Sequence, residues 1–119
     1  RISVEMPASR RWPQMVPAAE LPANHPARAG FELFQKHCFA CHTLNQAGES
    51  RLGPDLNLPK NPTEYFRDGI LRQFIRNNQS VRSWPEAKMP KFGPDILPER
   101  ELDALLAYLQ HMAGRRSGK

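Results

Sequence analysis

The chain has 119 residues, enough to close one hydrophobic core, which excludes multidomain layouts, large barrels and doubly wound nucleotide folds. Hydrophobic residues make up 39%, low for a self-sufficient core, so either part of the chain is irregular or a non-protein group fills the interior. The formal net charge is +5, no apolar run approaches the roughly 20 residues that span a bilayer, and no signal-peptide apolar region is visible.

Twelve prolines punctuate the chain, and five of them (Pro7, Pro13, Pro17, Pro22 and Pro26) fall in its first 26 residues. Proline has no N–H to give a helix interior or a central strand, so residues 1–25 read as an irregular Pro-rich extension outside the core. Its apolar residues, Ile2, Val4, Met6, Trp12, Met15, Val16 and Leu21, imply that part of it packs on the domain or on a partner. A first helix starts at Pro26, where proline suits the first turn. Ala27, Gly30, Phe31, Phe34 and Cys38 then fall on one helical stripe. Gly30 costs that helix about 1 kcal/mol against alanine, which points to another helix crossing closely there. Residues 43–62 carry loop chemistry.

A second helix is predicted over 64–77, burying Ile70, Leu71, Phe74 and Ile75, with Asp68, Arg72 and Arg76 on its wet face. Residues 78–97 are loop again, with Pro85, Pro90 and Pro94. A last helix opens at Pro98 and closes at Gly114. Glu99, Glu101 and Asp103 load its positive end, and Leu102, Leu105, Leu106, Leu109 and Met112 form its apolar stripe. No segment alternates like a strand. The expected layout is an extension, 1–25; an all-α domain, 26–114; and a basic tail, 115–119.

Cys38-Phe39-Ala40-Cys41-His42 is the C-x-x-C-H signature of c-type haem attachment. Two thiols three residues apart at a helix end can each add to a vinyl group, and the next residue lies under the ring with its imidazole toward the iron. The macrocycle would supply the missing core volume. A thioredoxin-like pair would want a βαβ context that the elements lack. A structural zinc site needs four ligands, and His25, His37, His42 and His111 show no suitable spacing. A simple disulfide between Cys38 and Cys41 leaves His42 unexplained.

Residues 26–113 resemble a class I cytochrome c domain. The resemblance rests on Gly30-Phe31-Glu32-Leu33-Phe34 ahead of C-x-x-C-H, then Leu52-Gly53-Pro54-Asp55-Leu56. Lys88-Met89-Pro90-Lys91-Phe92 and the terminal helix with Glu101-Leu102-Asp103-Ala104-Leu105-Leu106-Ala107-Tyr108-Leu109 follow in order. It implies three to five helices around one haem c, attached through Cys38 and Cys41. It further implies His42 as proximal ligand, Met89 as distal ligand, and a Pro54 carbonyl turned to the imidazole N–H of His42. Arg51 and Trp84 become candidate propionate partners, and Gly30 and Phe34 would cross the last helix near Leu105 and Tyr108. Met89 lies 47 residues past His42, which leaves chain enough to loop around the ring. By contrast, Met112 sits on a core stripe, Met6 and Met15 lie in the extension, His37 would face away from the distal side, and His111 reads as surface.

With His42 and Met89 on the iron no open coordination site remains, so the resemblance implies a one-electron carrier and not an enzyme in its own right. The extension favours a subunit or tethered module of a larger redox enzyme or respiratory chain, using it to reach a partner or a membrane anchor. A free diffusible shuttle is the alternative, and a peroxidase or ligand sensor with a labile Met89 a third reading. Covalent haem attachment implies the periplasm or the outer face of a bacterial membrane, and a chain beginning at Arg1 fits a processed product.

The charge is unevenly spread. Residues 1–28 net +2 and 113–119 net +3, while 29–112 hold ten positive and ten negative residues. Within that body, 60–91 carry seven positive and three negative residues, and 92–112 one positive and four negative. Nucleic acid is not expected as a partner. Redox proteins are, with an acidic patch docking on the Met89 side near Lys88 and Lys91.

Overall fold

Pro26 and the stripe behind it form α2, Pro26–His37, in the computed structural model, which describes residues 7–67, 69–81 and 89–116. The His25 side chain caps the helix, Nδ1 accepting the Ala27 N–H at 3.1 Å. The last helix, α6, runs Glu99–Ala113 and buries Leu102, Ala104, Leu105, Tyr108, Leu109 and Met112. Its first turn carries Glu99 and Glu101, as the macrodipole favours. α2 and α6 cross where Gly30 faces Ala104 and Tyr108. A Cβ on Gly30 would lie 2.0 Å from the Ala104 oxygen and 2.6 Å from Tyr108 Cβ, so only glycine allows this approach. Phe31 and Phe34 stack beside the crossing, their rings 5.7 Å and 5.6 Å from that of Tyr108. The close crossing expected from Gly30 is thus present.

The helix expected over 64–77 is two. Asn61 caps a single turn, α3 (Pro62–Tyr65), in a reciprocal capping box with Glu64. Phe66 then leaves the helix, and Gly69 takes a left-handed φ of 82° as the cap of α4, Ile70–Arg76. Asp68 lies outside the described residues. Ile75 is buried, whereas Ile70, Leu71 and Phe74 are half-buried. Arg72 pairs with both Glu99 and Asp103, and Arg76 with Glu99, fastening α4 to the start of α6. A short α5, Asn78–Val81, follows in a region read as loop. Arg76 also donates to the carbonyls of Phe92 (2.9 Å) and Leu97 (2.6 Å), closing the returning loop.

Part of the extension packs on the domain, one of the two outcomes its apolar residues imply, though deeper than a segment outside the core would. After a turn of helix, α1 (Ala8–Arg11), and a 3-10 turn at Pro13–Met15, the chain lies across α6. Met15 is fully buried in the main core, beside Phe34, Leu44, Leu105, Tyr108 and Met112. Residues 1–25 therefore do not all stand outside the core. The physical reason is that its own backbone makes few internal bonds, and the domain supplies partners instead. The Tyr108 hydroxyl donates to the Met15 carbonyl, the Asn45 amide to that of Gln14, and Arg28 to those of Ala18, Ala19, Leu21 and Pro22. His111 Nε2 accepts the Ala18 N–H at 3.0 Å. Ile2, Val4 and Met6 lie outside the described residues.

Among the described residues there is no strand. One antiparallel bridge joins Leu44 and Ala47 around Asn45 (φ 53°) and Gln46 (φ 68°), the signature of a type I′ turn. The loop beyond it is laced to α6 by three buried asparagines. Asn61 donates to Asn57 Oδ1 and the Leu109 carbonyl, and Asn57 to Asn45 Oδ1 and the Met112 carbonyl. Asn45 in turn donates to the carbonyls of Gln14 and Arg115. Every amide hydrogen of this ladder is used, which is the condition for burying it without penalty.

Candidate functional site

The end of α2 carries the two thiols. Cys38 is the C-cap, its N–H donating to the Phe34 carbonyl at 2.8 Å. The chain then coils tightly: the N–H groups of Cys41 and His42 both donate to the Cys38 carbonyl, at 3.1 Å and 2.8 Å. This turn keeps Cys38, Cys41 and His42 together on one short arc. Both cysteines are free and half-buried. Burial, with the Cys41 sulfur alongside, pushes the Cys38 thiol up to about 12, holding it protonated.

His42 is held by the loop that follows. Its Nδ1 lies 2.8 Å from the Pro54 carbonyl oxygen. A carbonyl can only accept, so Nδ1 carries the hydrogen and Nε2 keeps a lone pair for a metal. Gly53 makes this possible. A Cβ there would lie 2.5 Å from His42 Cε1 and 2.7 Å from Nδ1, inside contact distance. The Gly53 N–H also donates to the Cys41 carbonyl at 2.8 Å, pinning loop to turn. Gly53 thus has a role that the sequence pattern quoted but did not assign.

Met89 is half-buried and packs on the main core, as Cys38, Phe39 and Leu71 each do. Its carbonyl receives the Asn78 amide at 2.8 Å, and Asn78 is itself buried. The Phe92 N–H reaches the Ile75 carbonyl at 3.2 Å. The loop that bears Met89 is therefore fixed to α4 and α5 by backbone contacts. Asn78 was not foreseen; an asparagine just past a helix end is the cue that a cap or loop clamp leaves.

The remaining candidates divide. Arg51 is exposed, two residues before Gly53 on the same loop, and Trp84 and Lys88 lie outside the described residues. Met112 is fully buried on α6 and Met15 fully buried in the extension, each as core. His37 packs its ring edge on Phe92, with centroids 5.4 Å apart, and burial lowers its pKa. His111, expected at the surface, instead grips the extension, and His25 caps α2.

These residues fit a haem c. Two free thiols sit at a helix end, an imidazole presents a bare Nε2, and a thioether lies on a pinned loop, the soft and imidazole donors that haem iron accepts. Among the described residues no cluster of three or more His, Cys, Asp or Glu side chains could hold a metal ion by itself. No helix among them is long and apolar enough to cross a membrane. No curated protein and no solved structure matches the chain. The family model described as Cytochrome c matches residues 27–113, from the first turn of α2 to the end of α6. Covalent haem c is the cofactor this match carries, and Cys38 and Cys41 are the two cysteines available to it. The helical fold, the thiol-bearing turn and this match together place the chain in the cytochrome c family.

Proposed function

We propose that His42, through Nε2, and Met89, through its thioether sulfur, are the axial ligands, and that the chain is a one-electron carrier with no catalysis of its own. The proposal refines the haem-based electron transfer that membership of the family implies. The observation that carries it is the 2.8 Å contact from His42 Nδ1 to the Pro54 carbonyl, which fixes the tautomer and orients the ring. When bound, haem c supplies a one-electron iron couple. The soft sulfur of Met89 favours the ferrous form and so raises the potential. Holding the iron with both residues would leave no position for oxygen, peroxide or substrate. Arg51, exposed beside Gly53, and Trp84 are the proposed propionate partners.

Visible and near-infrared spectra of the holoprotein test the ligands. The parent is expected to be low-spin, to show the weak sulfur-to-iron band when oxidised, and to refuse carbon monoxide when reduced. Met89→Ala is expected to lose the band and bind carbon monoxide. A parent that binds carbon monoxide readily would overturn the carrier reading in favour of a sensor or peroxidase.

A subunit or tethered module of a larger redox system would use the extension to reach a partner or a membrane anchor. Residues 12–21 pack on this chain's own domain, which supports a second reading, a free diffusible carrier. Co-purification from the native source at fixed stoichiometry would decide for the subunit. The proposed compartment is the periplasm or the outer face of a bacterial membrane, to be read by fractionation.

A further inference from the structure

The Pro54 carbonyl that orients His42 has no anchor of its own. Proline has no N–H, and this one is exposed. What holds it must come from its neighbours. On one side, Gly53 donates to the Cys41 carbonyl at 2.8 Å. On the other stands Asp55, and its carboxylate gathers five donors. Oδ1 accepts the N–H groups of Asn57 (2.8 Å), Leu58 (2.9 Å) and Asn45 (3.2 Å). Oδ2 accepts the Thr43 hydroxyl (2.7 Å) and the Gln46 N–H (2.8 Å).

The choice of donors carries the argument. Thr43 follows His42 directly, so the Asp55–Thr43 bond and the Leu56 N–H to Thr43 carbonyl bond (2.8 Å) lock the two chains one residue beyond the His42–Pro54 contact. Asn45 and Gln46 are the two non-glycine residues with positive φ among the described residues, and both turn their N–H groups onto this carboxylate. Two successive non-glycine residues adopt that conformation at a cost, which a shared anionic acceptor offsets. Among the described residues Asp55 has no ion pair, and the donors on its carboxylate are a hydroxyl and four backbone N–H groups, all uncharged. A carboxylate placed so organises the loop rather than balancing a charge.

We propose that Asp55 is the positioning residue for the proximal ligand, holding the Pro54 carbonyl on His42 Nδ1 by fixing both flanks of that contact. The inference rests on His42 as a ligand of the iron. Weakening Asp55 loosens the Pro54 contact, lowers the electron donation of the imidazole and raises the reduction potential.

Asp55→Ala, Asp55→Asn and Thr43→Val in the holoprotein test it, read by exchange of the His42 Nδ1 proton in the ferrous form and by the midpoint potential. Exchange is expected to quicken about fivefold or more in Asp55→Ala, the loss of one ordinary hydrogen bond, with Asp55→Asn between it and the parent. Thr43→Val leaves the charge in place and removes one donor; its potential is expected to rise in the same sense by less. If Asp55→Ala fails to mature, Thr43→Val and Asp55→Asn carry the comparison. Parent-like exchange in all variants would overturn the proposal, whether melting points fall (a loop brace only) or potentials rise in the Asp55 variants alone (a charge effect only). A parent without a low-spin histidine-ligated spectrum would instead sink the ligand reading itself, and the positioning role with it.

Discussion

Gly53 lies under the His42 ring with no room for a methyl group. Gly53→Ala is expected to push the loop off the imidazole, costing about 1–3 kcal/mol of stability as overpacking does. Thermal melts of the holoprotein check the cost, and a parent-like melt would deny the close approach. At this scale the attachment residues were legible, because C-x-x-C-H is a contiguous pattern whose spacing has one main chemical use. Pro54 was legible through the resemblance, and the structure puts its carbonyl 2.8 Å from Nδ1. Gly53, Asp55 and Asn78 were not assigned. Their roles are contacts reaching 2 to 12 positions along the chain, and residue type alone does not say which turn a glycine or a carboxylate will serve.

Between elements, the seat of the extension on α6 turns on His111. Its Nε2 must be unprotonated to accept the Ala18 N–H. Burial lowers its pKa, with Arg115, His25 and Arg28 adding to the effect and Glu20 opposing it. A histidine held neutral by the fold gives stability that is present above its unfolded value, about 6.5, and lost as pH falls through the lower folded one. The protection of the Ala18 amide, its exchange relative to the intrinsic rate at each pH, is therefore expected to fall as pH drops through the folded value, and His111→Gln to flatten the response. Constant Ala18 protection down to the acid limit of the fold would remove His111 from this role. His37, lowered by burial as well, contributes in the same sense but touches Phe92, so the Ala18 amide separates the two.

Helix type and order were readable here because the stripes of α2 and α6 are long and each helix opens on a proline. The break between α3 and α4 was also written in the chain: Asn61-Pro62-Thr63-Glu64 is a capping box with proline at the first position, and Gly69 ends the periodicity. Over a long window the apolar residues of 64–77 masked both signals. The apolar residues of the extension imply that part of it packs, but not that Met15 enters the core, since it and its neighbours are bonded to residues 10 to 93 positions away.

For the molecule as a whole, charge by segment and charge by surface differ. The positive stretch 60–91 spends Arg72 and Arg76 on Glu99 and Asp103 of the negative stretch 92–112. Glu64 and Glu49 are likewise taken by Arg116 and Arg11. The dipole expected from the sequence is partly cancelled inside the fold. The docking proposal then narrows to cations next to Met89, of which Lys91 is exposed and Lys88 lies outside the described residues. Lys91→Glu is expected to slow electron transfer with an acidic partner about two- to fivefold at low salt, and the difference to vanish at high ionic strength. Equal rates at low salt would move the docking face elsewhere.

The asparagine ladder has a kinetic consequence. It joins Gln14, Asn45, Asn57, Asn61, Arg115 and the last carbonyls of α6 through bonds that span up to 70 positions. Helical proteins of this size usually fold quickly because their contacts are local. Here the ladder cannot close until the extension and the end of α6 have both arrived, whereas the bonds that Gly53, Pro54 and Asp55 make around His42 span at most 12 positions. The turn that holds the thiols and the imidazole can then form on a partly ordered chain, before the two ends close over it.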